Sequence, residues 1–299
     1  MTLETPMRCS ALAEELGEPL DGTVDQRRRW LLIEDRSAWG NEAVADLIGS
    51  DEAALAKSLG LRVLLVRRRE GDPAADAVRR AILVDTVTRE MAVREMGSVA
   101  ELSVQALASS PMAEFGVATT EPIFLVCTNG KRDACCALRG RVLVGALTAD
   151  HAARVWECTH LGGHRFGANL VCLPAGIIYG RVAAADGTRL ASAYLAGRLD
   201  PALLRGRSAW PAPAQVAEQT LRLRLGFAGV DDVRLLGADV DAERARVVLG
   251  GPDGREYQLE LRAVRASPPR PISCRADKVE EPLHWQVLTS DRLIPVARG

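Results

Sequence analysis

Cysteine and histidine are scarce in this chain, at seven and four among 299 residues. Seven is an odd number, and the residues are thinly spread. That excludes the dense disulfide framework of a small secreted domain and points to reduced thiols in a cytoplasmic setting. Long apolar runs are also missing: no window offers roughly eighteen uncharged apolar residues, so nothing reads as a membrane span. The opening "MTLETPMRCSALAEELGEPL" lacks a basic segment followed by a long apolar run, and does not read as a signal peptide. Net charge is only −1, so no global field favours nucleic acid or an anionic membrane as partner. What is present is a 47% hydrophobic content, too high for a disordered chain. The length favours two or three compact units.

The pattern of elements is α/β. "RRRWLLIED" (27–35) reads as a strand, and "NEAVADLIGSDEAALAKSLG" (41–60) as a helix stopped by Gly60. "LRVLLVRRR" and "RRAILVDTV" are two more strands, separated by the turn-like "EGDPAAD" (70–76). The order then recurs. "EPIFLVCTNG" is a strand ending at Cys127, "DACCALRGRVLVGAL" and "TADHAARVW" carry helical segments, and "RVWECTH" is a short strand. "NLVCLPAGIIYGRV" is a hairpin turning at Pro-Ala-Gly, and "GTRLASAYLAGRL" an amphipathic helix. Two successive β-α-β-β patterns suggest two related layers from an old duplication. "DPALLRGRSAWPAPAQ", with Pro201, Pro211 and Pro213, looks like a linker. Beyond it come a helix ended by Gly226, three strands with "GPDG" as a turn, a loop-like tail and an edge strand in "LHWQVLTS". The expected units are 1–115, 116–205 and a small α+β unit over 206–299.

The rare residues gather in the middle unit. "CTNGKRDACC" holds Cys127, Cys135 and Cys136, and "THLGGHRFG" holds His160 and His164 around a Gly-Gly pair. Cys127 ends a buried strand, where α/β folds place their sites. Asp133 can cap the following helix, with Cys135 and Cys136 in its first turn, where backbone N–H groups favour a thiolate. Adjacent helical residues diverge by about 100°, so one of the pair meets Cys127 and the other points elsewhere. The glycines let two imidazoles converge in a tight loop. Two thiolates and two imidazoles are a complete four-donor set. Cys9, Cys158, Cys172 and Cys274 read as small core residues. His151 and His284 read as hydrogen-bonded surface or core histidines.

Taken together, "CTNGKRDACC", "THLGGHRFGANLVCLPAGIIYGRV" and the entry "RCSALAEELGEPLDGTV" leading to "RRWLLIEDRSAWG" resemble the sucrase/ferredoxin-like family of thioredoxin-like ferredoxins. The resemblance implies a thioredoxin-like ferredoxin unit over 116–205, a degenerate relative before it, and one [2Fe–2S] cluster with two Cys and two His ligands. The residues that match are Cys127, Cys136, His160 and His164, leaving Cys135 outside the spacing; Asn129 has no ligand role. Cys127 and Cys136 then hold one iron, and the histidines the other. Replacing two thiolates by neutral imidazoles eases reduction, and the second ring nitrogen couples electron to proton. Lys131, Arg132 and Arg165, beside the ligands, are either a solvated rim or a docking patch for an unidentified acidic redox partner.

Three rivals stand beside this reading. A structural zinc module is one, since Cys2His2 suits zinc. A thiol-disulfide oxidoreductase is another, although it would want Cys-x-x-Cys. The third is an enzyme using the cluster as a relay, for which no flavin or dinucleotide fingerprint is present. The word "sucrase" finds no support, because no pair of carboxylates is marked out for glycoside hydrolysis.

Overall fold

The computed structural model describes residues 8–68, 79–288 and the backbone of 294–296. The turn expected over 70–76 lies outside them. The described elements begin with α1 (Cys9–Glu15) and the strand β1 (Arg29–Glu34). The helix expected over 41–60 is two, α2 (Ala43–Ile48) and α3 (Ser50–Ser58), because Gly49 between them sits at φ 92°, outside any helical conformation. Then come β2 (Leu61–Arg67), β3 (Arg79–Asp85), β4 (Glu90–Met96), α4 (Val104–Leu107), α5 (Met112–Phe115) and β5 (Val117–Thr119). The second half runs β6 (Ile123–Cys127), α6 (Ala134–His151), β7 (Val155–Cys158), β8 (Leu170–Leu173), β9 (Ile177–Tyr179) and α7 (Ala184–Leu195). The two helical segments expected after Cys127 are thus one continuous helix, α6.

Both halves have the same strand pairing. β1 is parallel to β2 and antiparallel to β3, which pairs with β4. β6 is parallel to β7 and antiparallel to β8, which pairs with β9. In each half a β-α-β unit is followed by a hairpin, the thioredoxin-like arrangement. The halves fuse edge to edge, because β2 and β7 pair antiparallel through Val66 with Cys158 and Arg67 with Glu157. With β10 (Leu204–Arg207) at one edge, the result is one ten-stranded mixed sheet ordered β10-β9-β8-β6-β7-β2-β1-β3-β4-β5.

Alternation along the strands gives each face its own core. Phe124 and Val126 of β6 pack under Leu143, Val144 and Leu147 of α6 and Leu190 of α7. Leu31 and Ile33 of β1 play the same part under Ala43 and Ala56. The opposite face is apolar across the fusion, with Trp30, Leu32, Val66, Leu125, Trp156 and Cys158 in one cluster. Among the described residues, no helix is long and apolar enough to cross a membrane.

The segment expected as a linker is not one. β10 (Leu204–Arg207) pairs with β9 and closes one edge of the large sheet, with all four residues buried. Pro211 precedes α8 (Ala212–Leu225), where its missing N–H costs nothing. The guanidinium of Arg207 donates to the buried Glu218 carboxylate at 2.8 Å, and Arg222 donates to the same oxygen at 2.9 Å. These partners lie along the next helix, so composition alone could not reveal the strand. α8 then covers an antiparallel sheet of β11 (Arg234–Val240), β12 (Arg244–Gly250), β13 (Glu256–Arg265), β14 (Leu283–Val287) and β15 (Ile294–Val296). Gly226 ends α8 in the left-handed conformation, as the sequence indicated.

Candidate metal centres

β6 and β7 are parallel and in register, with Cys127 opposite Cys158. Their C-terminal ends therefore release two loops at the same sheet edge, one leading to α6 and one carrying His160 and His164. Asp133 caps α6, its carboxylate accepting from the Cys135 N–H at 2.9 Å. Nearly two turns into that helix, a Cβ on Gly140 would lie 2.2 Å from the Cys127 carbonyl oxygen. Only glycine allows so close an approach, and it brings the second turn of α6 against the end of β6.

Four side chains gather there in a ring. Cys127 and Cys136 share one buried cluster, and Cys136 and His160 are among the neighbours that lower the Cys127 thiol. Cys136 Sγ lies 3.6 Å from His164 Nδ1. The two imidazoles stack at 4.1 Å between centroids, with planes 15° apart. Both cysteines are buried, and both histidines are part-buried.

The histidine loop is held from three sides. Arg62 of β2 donates to the carbonyls of Leu161 and, at 3.4 Å, His160. Arg205 of β10 donates to Asn169 Oδ1 at 2.9 Å and to the Thr23 carbonyl at 2.6 Å. Asn169 in turn donates to the Gly163 carbonyl at 3.2 Å. Gly163 is left-handed at φ 68°, and a Cβ there would sit 2.4 Å from the Arg205 guanidinium. The first half and the β10 edge thus both contribute to positioning the imidazoles.

The electrostatics suit metal ligation. The hydrogen bond from Cys136 holds the Cys127 thiol well below its usual range, against the opposing effect of burial, with His160 assisting. The same contact, with burial, pushes Cys136 up, so the pair loses its first proton easily. Burial and then the neighbouring His160 lower His164 to about 4, leaving a neutral imidazole at neutral pH.

Cys135 points elsewhere. Its Sγ lies 3.6 Å from Cys9 Sγ and 3.3 Å from Cys274 Sγ, and those two are 3.5 Å apart. With Asp133 they form a set whose donor atoms all fall within 4.8 Å of one another, a group that can bind a metal. Among the described residues this is the only group gathered so tightly. The hydrogen bond from Cys9 lowers Cys135 to about 5, although burial works against it.

The family model for sucrase/ferredoxin-like proteins matches residues 20–206. The chain belongs to the sucrase/ferredoxin-like family. Neither a curated protein nor a solved structure matches it significantly. The matched span of this sucrase/ferredoxin-like protein contains Cys127, Cys136, His160 and His164. It also contains Asp133 and Cys135, but neither Cys9 nor Cys274.

Several sequence expectations need correction. Cys158 and Cys172 are fully buried core residues, but Cys9 and Cys274 are not lone core thiols, and Cys274 is exposed. Their partners lie 124 to 265 positions away, so no local pattern marks them. A faint signal was the serine beside each: Ser10 Oγ donates to Cys135 Sγ at 3.2 Å, and Ser273 Oγ to Asp133 at 3.0 Å. Arg165 is not a rim residue. It is ion-paired to the buried Glu18 carboxylate at 2.7 Å and stacks on Phe166. Arg132 pairs with Glu42, and Lys131 is exposed. Asn129 holds backbone, donating to the Gly40 carbonyl at 3.1 Å and accepting from the Arg132 N–H. His151 contacts Ser192 and the edge of Phe124. His284 lies buried 3.5 Å from Glu18.

Proposed function

We propose that this protein is an electron carrier that holds one [2Fe–2S] cluster through Cys127, Cys136, His160 and His164. The observation that supports it is the gathering of two thiols and two imidazoles at the ends of two parallel strands. The donors fit the group chemically, since one thiolate forms readily and His164 is neutral at working pH. In the ring, Cys127 neighbours Cys136 along one side and the imidazoles stack along the other. That is the division of ligands a two-iron centre with two Cys and two His requires. The ring is also wider than the Cys9 set, which has the compactness of a single-ion site.

Bound there, such a cluster supplies a one-electron couple, with a potential raised by imidazole in place of thiolate. The chain's own part is to hold the donors and to control access. Arg62, Arg205 and Asn169 fix the histidine loop. His160 lines an open cleft of about 410 Å³, whose walls also carry Asp25, Arg27, Glu42, Arg62 and Arg132. A charged cleft reaching one ligand suits transient docking of a redox partner protein. The thin spread of seven cysteines along the chain supports a cytoplasmic setting for this activity.

Anaerobic purification from iron-replete cells, followed by iron, acid-labile sulfide and absorption measurements, tests the reading. Two irons and two sulfides per chain, with a visible thiolate-to-iron spectrum, are expected. A colourless protein with zinc in the four-residue ring contradicts it.

A further inference from the structure

We propose that Cys9, Cys135, Cys274 and Asp133 form a second, separate metal site: a closed zinc site that clasps α1 and the loop around Cys274 to the start of α6. This site does not depend on the [2Fe–2S] reading.

The geometry carries the argument. The three sulfur–sulfur distances are 3.6, 3.3 and 3.5 Å. A tetrahedral ion with zinc–sulfur bonds of about 2.3 Å places its sulfurs about 3.8 Å apart, close to this triangle. A disulfide needs about 2.05 Å and uses two sulfurs, leaving the equal third edge without purpose. The fourth donor is in place, since Asp133 Oδ2 lies 3.9 Å from Cys9 Sγ.

The surroundings match an ordered ligand shell. Asp133 Oδ2 accepts from the Cys274 N–H at 2.9 Å and from Ser273 Oγ at 3.0 Å. Its other oxygen is fixed by the Cys135 N–H at 2.9 Å. Ser10 Oγ donates to Cys135 Sγ at 3.2 Å. Such outer hydrogen bonds fix ligand orientation in metal sites. A second tie joins the same regions: buried Glu18 receives Arg165 from the histidine loop and Arg270 from the Cys274 loop.

The donor types select the ion. Three thiolates exclude magnesium and calcium, which take oxygen ligands. A carboxylate beside them disfavours copper(I), whose soft preference is for sulfur alone. Zinc accepts both donors, imposes no geometry of its own, and fills four positions in a structural role. Two of the four donors, Cys9 and Cys274, lie outside the span matched by the family model.

The test uses the full chain from cells supplied with both iron and zinc. Elemental analysis should find one zinc per chain, and zinc K-edge X-ray absorption should show three sulfurs and one oxygen. Cys274→Ala, a change at an exposed position, should lower zinc below about a tenth per chain while iron and sulfide stay unchanged. An absence of zinc, copper or iron in its place, a disulfide among the three cysteines, or zinc retained in Cys274→Ala overturns the proposal. A shell of two sulfurs and two nitrogens also overturns it, because it places the zinc in the Cys127 ring. Iron and sulfide are counted separately, so failure of this site is distinguishable from failure of the cluster reading.

Discussion

Cys135 and Cys136 are adjacent in the first turn of α6, yet their sulfurs belong to different donor sets. Cys136 lies against His164, and Cys135 lies between Cys9 and Cys274. The 100° step of a helix separates them. The shared Asp133 keeps the sets close, with Oδ2 lying 4.0 Å from His164 Nδ1 and 2.9 Å from the Cys274 N–H.

The two cysteines should therefore fail differently. Cys136→Ala is expected to lose iron and visible colour, and Cys135→Ala to keep both while losing zinc. Iron, sulfide and zinc analysis of the two purified variants checks this.

Exchanging an imidazole for a thiolate adds negative charge to the ring. His160→Cys or His164→Cys should keep a coloured centre and lower its reduction potential. The size should be roughly 100 mV or more, judged from the gap between Rieske and all-cysteine centres. Protein-film voltammetry of wild type and both variants measures it. The pH dependence of the wild-type potential should weaken in the variants, because each loses one ring that can carry a proton.

Gly140→Ala should act at a distance. Its methyl group would meet the backbone carbonyl of Cys127, which cannot turn aside. A cost of about 1–3 kcal/mol is expected from overpacking, together with less iron per chain, since α6 must retreat from β6. Denaturant unfolding and iron analysis test the two effects together.

Asp85 predicts the acid behaviour. Burial would raise its carboxyl, but the N–H groups of Thr88 and Val87 and the Arg28 guanidinium outweigh it and hold the group below the usual carboxylate range. A depressed folded value contributes stability above the unfolded value of about 3.9, and loses it as pH falls through the folded one. Asp85→Asn should be less stable at neutral pH by about 1.5–3 kcal/mol, the range for hydrogen bonds to charged groups. The gap from wild type should close as pH falls below the usual carboxylate range. Chemical denaturation at several pH values measures it.

What was legible in the sequence is what depends on near neighbours. The apolar run ending at Cys127, the Asp133 cap and the Gly226 stop are local signals, and each boundary formed where it was read. The repeated strand order was also legible, and the structure shows why it matters: one half supplies Arg62 to the loop of the other. The misreadings came from distant partners. Leu204–Arg207 looked like a proline-rich connection, because its pairing with β9 and the Arg207–Glu218 bond appear only once the chain folds. Cys9 and Cys274 carry no spacing relative to Cys135, so only the fold reveals the triangle.

The central claim concerns the four residues of the ring, and pulsed electron paramagnetic resonance of the reduced protein addresses it most directly. The account predicts a one-electron-reduced [2Fe–2S] signal with strong couplings to imidazole nitrogen, diminished in His160→Cys and in His164→Cys. A signal with no directly coupled nitrogen, or a reduced protein with no paramagnetic iron, would contradict it.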